Sequence, residues 1–477
     1  MNGTEEQKKI WNEMENGNSH MMVYAGAGTG KTYTIVEGAK LVSGKKGFLA
    51  FNKSIATELQ KKLPNDCDAM TFHSLGLSAI RARRRNVRVD NKKNYNIIKT
   101  VLGDRYRSGA ALNKLIGMLK NSLAEWDDQQ AINDIIDEYN IEFDGTLEQR
   151  EGILSLPTIK EYCMDISIVD FDDMIWLPVV MNMEIKHYDV VFVDEAQDFN
   201  ECQRKLILKA CNGGRMIVVG DPKQAIYGFR GADSASMDIF KRELEKSSRG
   251  VDNYTLSITW RCPLSVVNEA RRFFKDYFPR DNAPEGAVNA NARFAPVAGD
   301  LVLCRVNAPL VGHCLRLITA GTPAYVLGRD IGYGLQNLVK KVTADTSMGI
   351  DTFLPLLDTY VDNLITAYKR ADKDKQIQSL EDKVDCISHL IKNATTVKGV
   401  LDNISAVFNS KKGRAVTFST VHKAKGLEAD NVWILKPDVM PHPMATSESD
   451  RQQERNLCYV AITRAKNTLN YVGERIG

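Results

Sequence analysis

Three glycines alternate with small residues in Ala25-Gly26-Ala27-Gly28-Thr29-Gly30-Lys31-Thr32. Such a stretch can cradle the phosphates of a nucleoside triphosphate. Glycine lets consecutive backbone N–H groups turn toward phosphate oxygens without a Cβ in the way. Lys31 would reach the β- and γ-phosphates, and the Thr32 hydroxyl would ligate Mg²⁺. The strict pattern begins with Gly, where this chain has Ala25. A second set of groups, Asp194-Glu195, follows the apolar run Val190-Val191-Phe192-Val193. Asp194 would hold Mg²⁺, and Glu195 would act as general base on the attacking water. Two adjacent carboxylates at a strand end are also compatible with a plain loop. A third stretch, Gly220 to Asp233, places Gln224 beside Tyr227, Phe229 and Arg230. Gln224 could sense a γ-phosphate while Tyr227 and Phe229 stack on bases, which is sequence-tolerant because every base has a π-face.

These groups need strand ends and helix starts to aim them. His20 to Ala25 is an apolar run suited to a buried strand, and Thr34 to Leu41 carries apolar residues at helical spacing. Strand, glycine-rich loop and helix start is the context the loop requires, and the helix adds its positive end. Strands are expected at 21–25, 47–51 and 68–72, with helices near 30–43 and 53–63 between them. That alternation is the rhythm of a parallel sheet. From about 79 to 165 the pattern turns helical and polar, and buried strands return at 190–193 and 216–219. A second α/β unit starts near Leu256, with strands at 301–303, 325–327, 416–418, 432–435 and near 469–472. Its own helical stretch runs from about 336 to 411. The reading is α/β: two parallel-sheet domains in tandem, each with a helical insert. The division is 1–78 plus 166–250, insert 79–165, then 251–335 plus 412–477, insert 336–411.

Bulk properties exclude several classes. The chain has 477 residues, 43% hydrophobic and 26% charged, as in ordinary soluble globular proteins. No apolar run approaches the ~20 residues of a membrane span, so no membrane partner is expected. The first residues lack an apolar signal core, and nine cysteines are scattered without a C-x-x-C pair. Reduced thiols in the cytoplasm are expected, and no structural zinc. A net charge of +3 is too mild to imply nucleic acid by itself. Arg81, Arg83, Arg84, Arg85, Arg88, Lys92, Lys93 and Lys99 are opposed only by Asp90. That run reads equally as a track for a phosphate backbone or as a solvated helix face.

The motifs, taken in order, resemble those of superfamily 1A helicases of the UvrD/Rep/PcrA type. Gln7 in Thr4-Glu5-Glu6-Gln7 resembles the glutamine that reads adenine. FLAFNKSIATEL (48–59) resembles a DNA-contacting motif with Phe51 and Asn52, and TFHSLG (71–76) another with Thr71 and His73. DFDDM (170–174) matches a short acidic motif of the first motor domain. SITWRCP (257–263) stands where the family has a tyrosine–arginine pair, so the resemblance gives Arg261 the γ-phosphate and Trp260 the adenine face. LCRVNA (303–308) supplies Arg305. TFSTVHKAKGLEADNVWI (417–434) places Thr420 and His422 toward DNA and Glu428 on the ribose. ERNLCYVAITRAK (454–466) supplies Arg464 as a second arginine finger. Full-length relatives are longer. The second insert is short here, and no C-terminal tail or fused nuclease is expected.

The resemblance implies two RecA-like motor domains of the P-loop class, with ATP and Mg²⁺ between them. Lys31, Glu195, Gln224, Arg261 and Arg464 would serve catalysis. It implies an ATP-dependent helicase moving 3′→5′ on single-stranded DNA and unwinding duplex, expected as a monomer in the cytoplasm with its DNA. Partners among replication or repair proteins stay open. Two other readings remain at this stage: a non-processive translocase that displaces proteins or remodels recombination intermediates, and a nucleotide-gated binding module with weak catalysis.

Overall fold

The computed structural model describes residues 3–50, 53–139, 141–226, 236–370, 374–392, 394–409, 414–443, 445 and 447–476. Phe51, Asn52, Tyr227, Phe229 and Arg230 of the sequence reading lie outside the described residues. The chain forms two compact units, Met1–Ser257 and Ile258–Gly477.

The first unit carries strands β1 (His20–Ala25), β2 (Lys46–Ala50), β3 (Cys67–Thr71), β4 (Arg88–Val89), β5 (Ile168–Val169), β6 (Val190–Val193), β7 (Arg215–Gly220) and β8 (Val251–Leu256). Six of them form one parallel sheet in the order β3-β2-β6-β7-β1-β8. Its apolar residues alternate between two cores. Met22, Leu49, Val191, Val193, Met216 and Val218 enter one, and Met21, Val23, Phe48, Phe192, Ile217 and Val219 enter the other. A sheet buried on both faces needs continuous apolar strands, which is why these runs are uniform rather than alternating in sequence. Each such side chain contributes roughly 1.5–3 kcal/mol on full burial.

The strand Val251–Leu256 corrects the expected domain boundary. The sequence reading assigned it to the second α/β domain, but it is β8 and pairs with β1 from His20↔Val251 to Ala25↔Leu256. It is an edge strand whose Asp252, Asn253 and Thr255 are exposed, so its apolar signal is thin. Two further boundaries, at 79 and 336, fall inside the helices Phe72–Arg83 and Arg329–Val342.

Between β4 and β5 lie four helices, Lys93–Leu102, Gly109–Ser122, Gln129–Glu138 and Thr146–Cys163. Leu112, Leu115, Ile116, Leu119 and Ile159 from these helices join the core under the sheet. A buried ionic knot fastens the same segment to the helix Phe171–Val180. Asp170 caps that helix and shares a reciprocal capping box with Asp173. Lys93 Nζ lies 2.7 Å from Asp173 Oδ2 and also donates to the Cys163 and Asp165 carbonyls. Lys120 Nζ contacts Asp170 Oδ2 at 3.1 Å and Asp173 Oδ1 at 2.8 Å, the latter by charge without hydrogen-bond direction. Burial alone would lower the pKa of Lys120, but Asp173 and Asp170 outweigh it and raise it.

The second unit carries β9 (Ile258–Thr259), β10 (Phe278–Pro279), β11 (Ala287–Asn289), β12 (Leu301–Cys304), β13 (Ala324–Val326), β14 (Val416–Thr420), β15 (Ala429–Leu435) and β16 (Ala465–Val472). Its parallel sheet runs β11-β16-β15-β12-β14-β13, and β9 pairs with β10 apart from it. The helices Ile350–Arg370, Asp374–Ile391 and Val397–Phe408 place Phe353, Leu357, Ile387, Leu390, Val400 and Ile404 in one core with Val302 and Phe418 of the sheet. Asp382 on the middle helix accepts the Asn307 and Ala308 N–H groups at 3.0 Å each, where the helix Ala308–Thr319 begins. The fold class read from sequence therefore holds: two parallel α/β domains, each carrying a helical segment. No helix among the described residues is long and apolar enough to cross a membrane.

Removing one member of the buried knot exposes its stabilising role. Lys120→Ala leaves two buried carboxylates short of a counter-charge and should destabilise the first unit by about 3–5 kcal/mol. Denaturant titration checks this. Lys99→Ala, at an exposed pair with Asp104, is the control and should leave the midpoint unchanged.

Candidate nucleotide and nucleic-acid sites

Because β6, β7 and β1 are neighbours and parallel, their C-terminal ends share one edge of the first sheet. That edge is where a parallel α/β sheet offers a ligand crevice. After β1, the loop runs Gly26 to Gly30, and the helix Lys31–Ala39 follows. Gly28 and Gly30 take φ of 68° and 81°, a region that costs glycine nothing. Ala25, Ala27 and Thr29 are buried beneath the loop while Gly26, Gly28 and Gly30 stay partly open. Thr29 Oγ1 donates to the Gly26 carbonyl at 2.9 Å, and Gly26 N–H donates to the Leu256 carbonyl at 2.9 Å.

Lys31 meets the acidic pair that follows β6. Its Nζ is 3.1 Å from Glu195 Oε1, and its side chain is 11% exposed. Burial opposes its charge, but Glu195, Asp221 and Asp194 together raise its pKa. Thr32 Oγ1 donates to Asp194 Oδ2 at 3.2 Å. Burial first, then the adjacent Glu195, push the Asp194 carboxyl up to about 6. A hydroxyl and a buried, charge-crowded carboxylate are hard oxygen donors that suit Mg²⁺. Among the described residues there is no cluster of three or more acidic, His or Cys ligands, so the pair would fill only part of a coordination shell.

Glu195 sits at φ 55°, ψ 38°, left-handed for a non-glycine residue. Its N–H donates to Asp194 Oδ1 at 2.9 Å, and its carbonyl accepts from Asp198 N–H at 3.0 Å. Such strain persists only where surroundings over-determine it, and it clusters at functional sites. Gln197 supplies part of that hold. Its Nε2 donates to Glu195 Oε2 at 2.6 Å, and its Oε1 accepts Asp221 N–H at 2.9 Å. A Cβ on Gly220 would come within 2.7 Å of Gln197 Oε1 and of Met237 Sδ, so a larger residue there would push on the Gln197 amide. Gln224 Nε2 donates to buried Asp221 at 2.6 Å. Sequence reasoning gave no role to Gln197 or Asp221, although Asp221 lies inside the stretch Gly220 to Asp233 and Gln197 two residues after Glu195.

Gln7 lies near this edge, and each of its amide atoms makes one hydrogen bond within the unit. Its Oε1 accepts Thr4 N–H at 3.0 Å, and its Nε2 donates to Thr34 Oγ1 at 3.0 Å.

In the second unit, Arg261, Glu428 and Arg464 come together. Glu428 and Arg464 immediately precede β15 and β16, at the N-terminal edge of those strands. Arg261 Nε donates to Glu428 Oε2 at 2.7 Å, and Lys466 lies 3.4 Å from the other oxygen. Burial works against the Glu428 charge, but both cations outweigh it and lower its pKa. Arg464 is 1% exposed and donates to the Val460 and Leu427 carbonyls and to Thr463 Oγ1. Burial, then the nearby Arg261, lower its pKa to about 10. Trp260 is half exposed, with the Arg280 guanidinium 5.8 Å from its ring centroid.

The residues expected at DNA sit elsewhere. Arg305 and Thr420 follow or end β12 and β14 at the C-terminal edge of the second sheet, where Cys304 faces Thr420. Half-buried His422 follows. The Arg305 fork is filled by Glu454, with Nε and Nη2 at 2.9 and 2.7 Å from one oxygen. In the first unit, Thr71 Oγ1 caps the helix Phe72–Arg83 by accepting Ser74 N–H. His73 stands edge-on to Phe171 with centroids 5.5 Å apart, and burial lowers its pKa.

The UvrD/REP helicase N-terminal domain is matched over residues 4–245 and the UvrD-like helicase C-terminal domain over residues 357–472. The chain belongs to the UvrD/REP helicase family. It is 24% identical to the F-box DNA helicase protein 1 of Schizosaccharomyces pombe, over 98% of this chain and 57% of that protein. It is 23% identical to DNA helicase II of Salmonella typhimurium, over 96% of this chain and 83% of that one. It is 22% identical to the ATP-dependent DNA helicase PcrA of Staphylococcus aureus, over 94% and 80%. It thus spans about half of the F-box relative and about four fifths of the bacterial ones.

In this UvrD/REP family member, Gln197 is the hinge-pin of the acidic pair. Gln197→Ala removes the acceptor of a buried N–H and should destabilise the first unit by about 1–3 kcal/mol. A urea titration followed by circular dichroism would read the shift; an unchanged midpoint contradicts the assigned role.

Proposed function

We propose that the chain is an ATP-dependent DNA translocase that unwinds duplex and moves 3′→5′ on single strands. The observation that carries this reading is the convergence of Lys31, Thr32, Asp194, Glu195 and Asp221 on one edge of the first sheet. Family membership and relatives named as DNA helicases support it further.

On this reading the loop N–H groups and Lys31 hold the phosphates of ATP. Thr32 and Asp194 would hold Mg²⁺, which would supply charge neutralisation for the phosphates. Lys31 exchanges its pairing with Glu195 for phosphate oxygens, and that exchange releases Glu195. The freed carboxylate, kept in place by Gln197, takes the proton of the attacking water. Asp221 and Gln224 link the same edge to the segment that follows β7. Arg261 and Arg464 are assigned to the γ-phosphate, Trp260 and Gln7 to adenine, and Glu428 to ribose. Arg261 then has to trade Glu428 for phosphate. Thr71, His73, Arg305, Thr420 and His422, with Phe51, Asn52, Tyr227, Phe229 and Arg230, are assigned to single-stranded DNA. The helical segments within 79–165 and 336–411 are proposed as inserts of two RecA-like motors.

Glu195→Gln should lower DNA-stimulated ATP hydrolysis by about 10²–10⁴-fold, the range for removing a general base. Lys31→Ala should abolish hydrolysis. Both should still bind single-stranded oligonucleotide by fluorescence anisotropy. Hydrolysis at the wild-type rate by either variant overturns the site, and unwinding of 5′-tailed but not 3′-tailed duplex overturns the polarity.

A further inference from the structure

The first turn of the helix Glu5–Asn16 holds two different things at once. Thr4 and Gln7 cap the helix reciprocally, so the Glu6 carboxylate is not used for capping. It reaches instead to Ser257, the last residue of the first unit. Glu6 Oε2 accepts Ser257 N–H at 2.9 Å, and Oε1 accepts the Ser257 hydroxyl at 2.6 Å. The neighbouring Gln7 donates to Thr34 Oγ1, which donates to the Gly30 carbonyl at 2.9 Å. Trp11 Nε1 donates to the Thr34 carbonyl at 2.8 Å. One helical turn therefore grips both the phosphate loop and the residue where the chain leaves the unit. A second, direct tie runs from Gly26 N–H to the Leu256 carbonyl.

Resting on the function proposed above, we propose that Glu6 is a positioning residue that transmits the state of the phosphate loop to the crossing at Ser257–Ile258. A carboxylate taking two bonds from one residue fixes that residue in both position and orientation, and such bonds are about twice as strong as neutral ones. Trp260 and Arg261 follow within four residues of the clamp. Chain crossings are where domain movement is absorbed in a few backbone torsions. With Ser257 clamped, a shift of the loop is delivered to the next residues. With Ser257 released, the shift dissipates in slack between Leu256 and Ile258.

The test separates fuel use from movement. Losing the clamp should raise the population of released Ser257 by about tenfold or more. Glu6→Ala should keep DNA-stimulated ATP hydrolysis but advance fewer bases per ATP, measured by stopped-flow translocation on oligonucleotides of graded length. Glu6→Gln keeps one acceptor and should recover part of the coupling. Ser257→Ala keeps the N–H bond and should lose less, and adding it to Glu6→Ala should cost nothing more. Wild-type bases per ATP in a folded Glu6→Ala protein overturns the proposal, as does a parallel fall of hydrolysis and movement. A second readout does not need activity. Hydrogen exchange across 254–262 should slow on adding Mg²⁺ and a non-hydrolysable ATP analogue to wild type but not to Glu6→Ala. If that difference appears while the wild type fails to move on DNA, the clamp stands and the translocase reading fails. If exchange responds equally in both, the clamp is overturned.

Discussion

The charge balance around Lys31 is the constraint on which the first unit depends. One ammonium faces Glu195, Asp194 and Asp221 in a partly dehydrated setting. Three carboxylates against one cation are over-supplied with negative charge: burial first and Glu195 second push the Asp194 carboxyl up, while the same carboxylates keep Lys31 charged despite burial. A fold that gathers like charges this closely must over-determine their places, since each would otherwise swing to water. The parallel order β6-β7-β1 does so by ending three adjacent strands at one edge. Backbone and side-chain bonds through Gln197 and the left-handed Glu195 complete it.

The same device recurs away from that edge. The Lys93–Lys120–Asp170–Asp173 knot joins the segment after β4 to the helix after β5. In the second unit, Glu269 is 3% exposed and takes Arg272, Arg475 and the Tyr471 hydroxyl. Buried ion pairs add little net stability over apolar packing, but they tolerate no misplacement. Apolar surface decides that these helices collapse onto the sheets, and the paired charges decide where.

Legibility in the sequence followed the strength of local pattern. The first unit's central strands were found to within about a residue, because both faces demanded apolar side chains, whereas β14, β15 and β16 extend two to four residues beyond the expected ranges, where polar residues join the apolar runs. The placement of the Gly26–Gly30 loop between β1 and a helix, and of Asp194-Glu195 directly after β6, was legible because each follows an apolar run in the sequence. The edge strand Val251–Leu256 was misplaced because its exposed polar residues Asp252, Asn253 and Thr255 broke the apolar run. Gln197, Glu454 and Glu6 were not assigned, since each acts on a partner far away in sequence: Asp221, Arg305 and Ser257. Their roles follow from sheet order and helix placement, which no local period encodes. The basic run from Arg81 divides between the helices Phe72–Arg83 and Lys93–Leu102, which hold Arg81, Arg83, Lys93 and Lys99, and the exposed segment between them, with Arg88 on Asp90 and Lys99 on Asp104. Only Lys93 of that run turned out to be buried structure.

Arginines offer a further regularity across the second unit. Arg261 is held by Glu428 and Arg305 by Glu454, each at 2.7 Å. A ligand that takes either arginine must displace a carboxylate already making a charge-assisted bond, so its net gain is the difference between two similar interactions. Phosphate can win that exchange because it carries more charge and matches the guanidinium fork. A neutral ligand cannot. The released carboxylate is then left with fewer partners: Glu428 keeps Lys466, and Glu454 keeps the His442 N–H. Each pair therefore sets a ligand in direct competition with a carboxylate, so ligand binding at either arginine is tied to a side-chain exchange. The two arginines sit at opposite edges of one parallel sheet, Arg261 beside the starts of β15 and β16 and Arg305 at the end of β12. On the proposed reading, one exchange answers to nucleotide and the other to DNA.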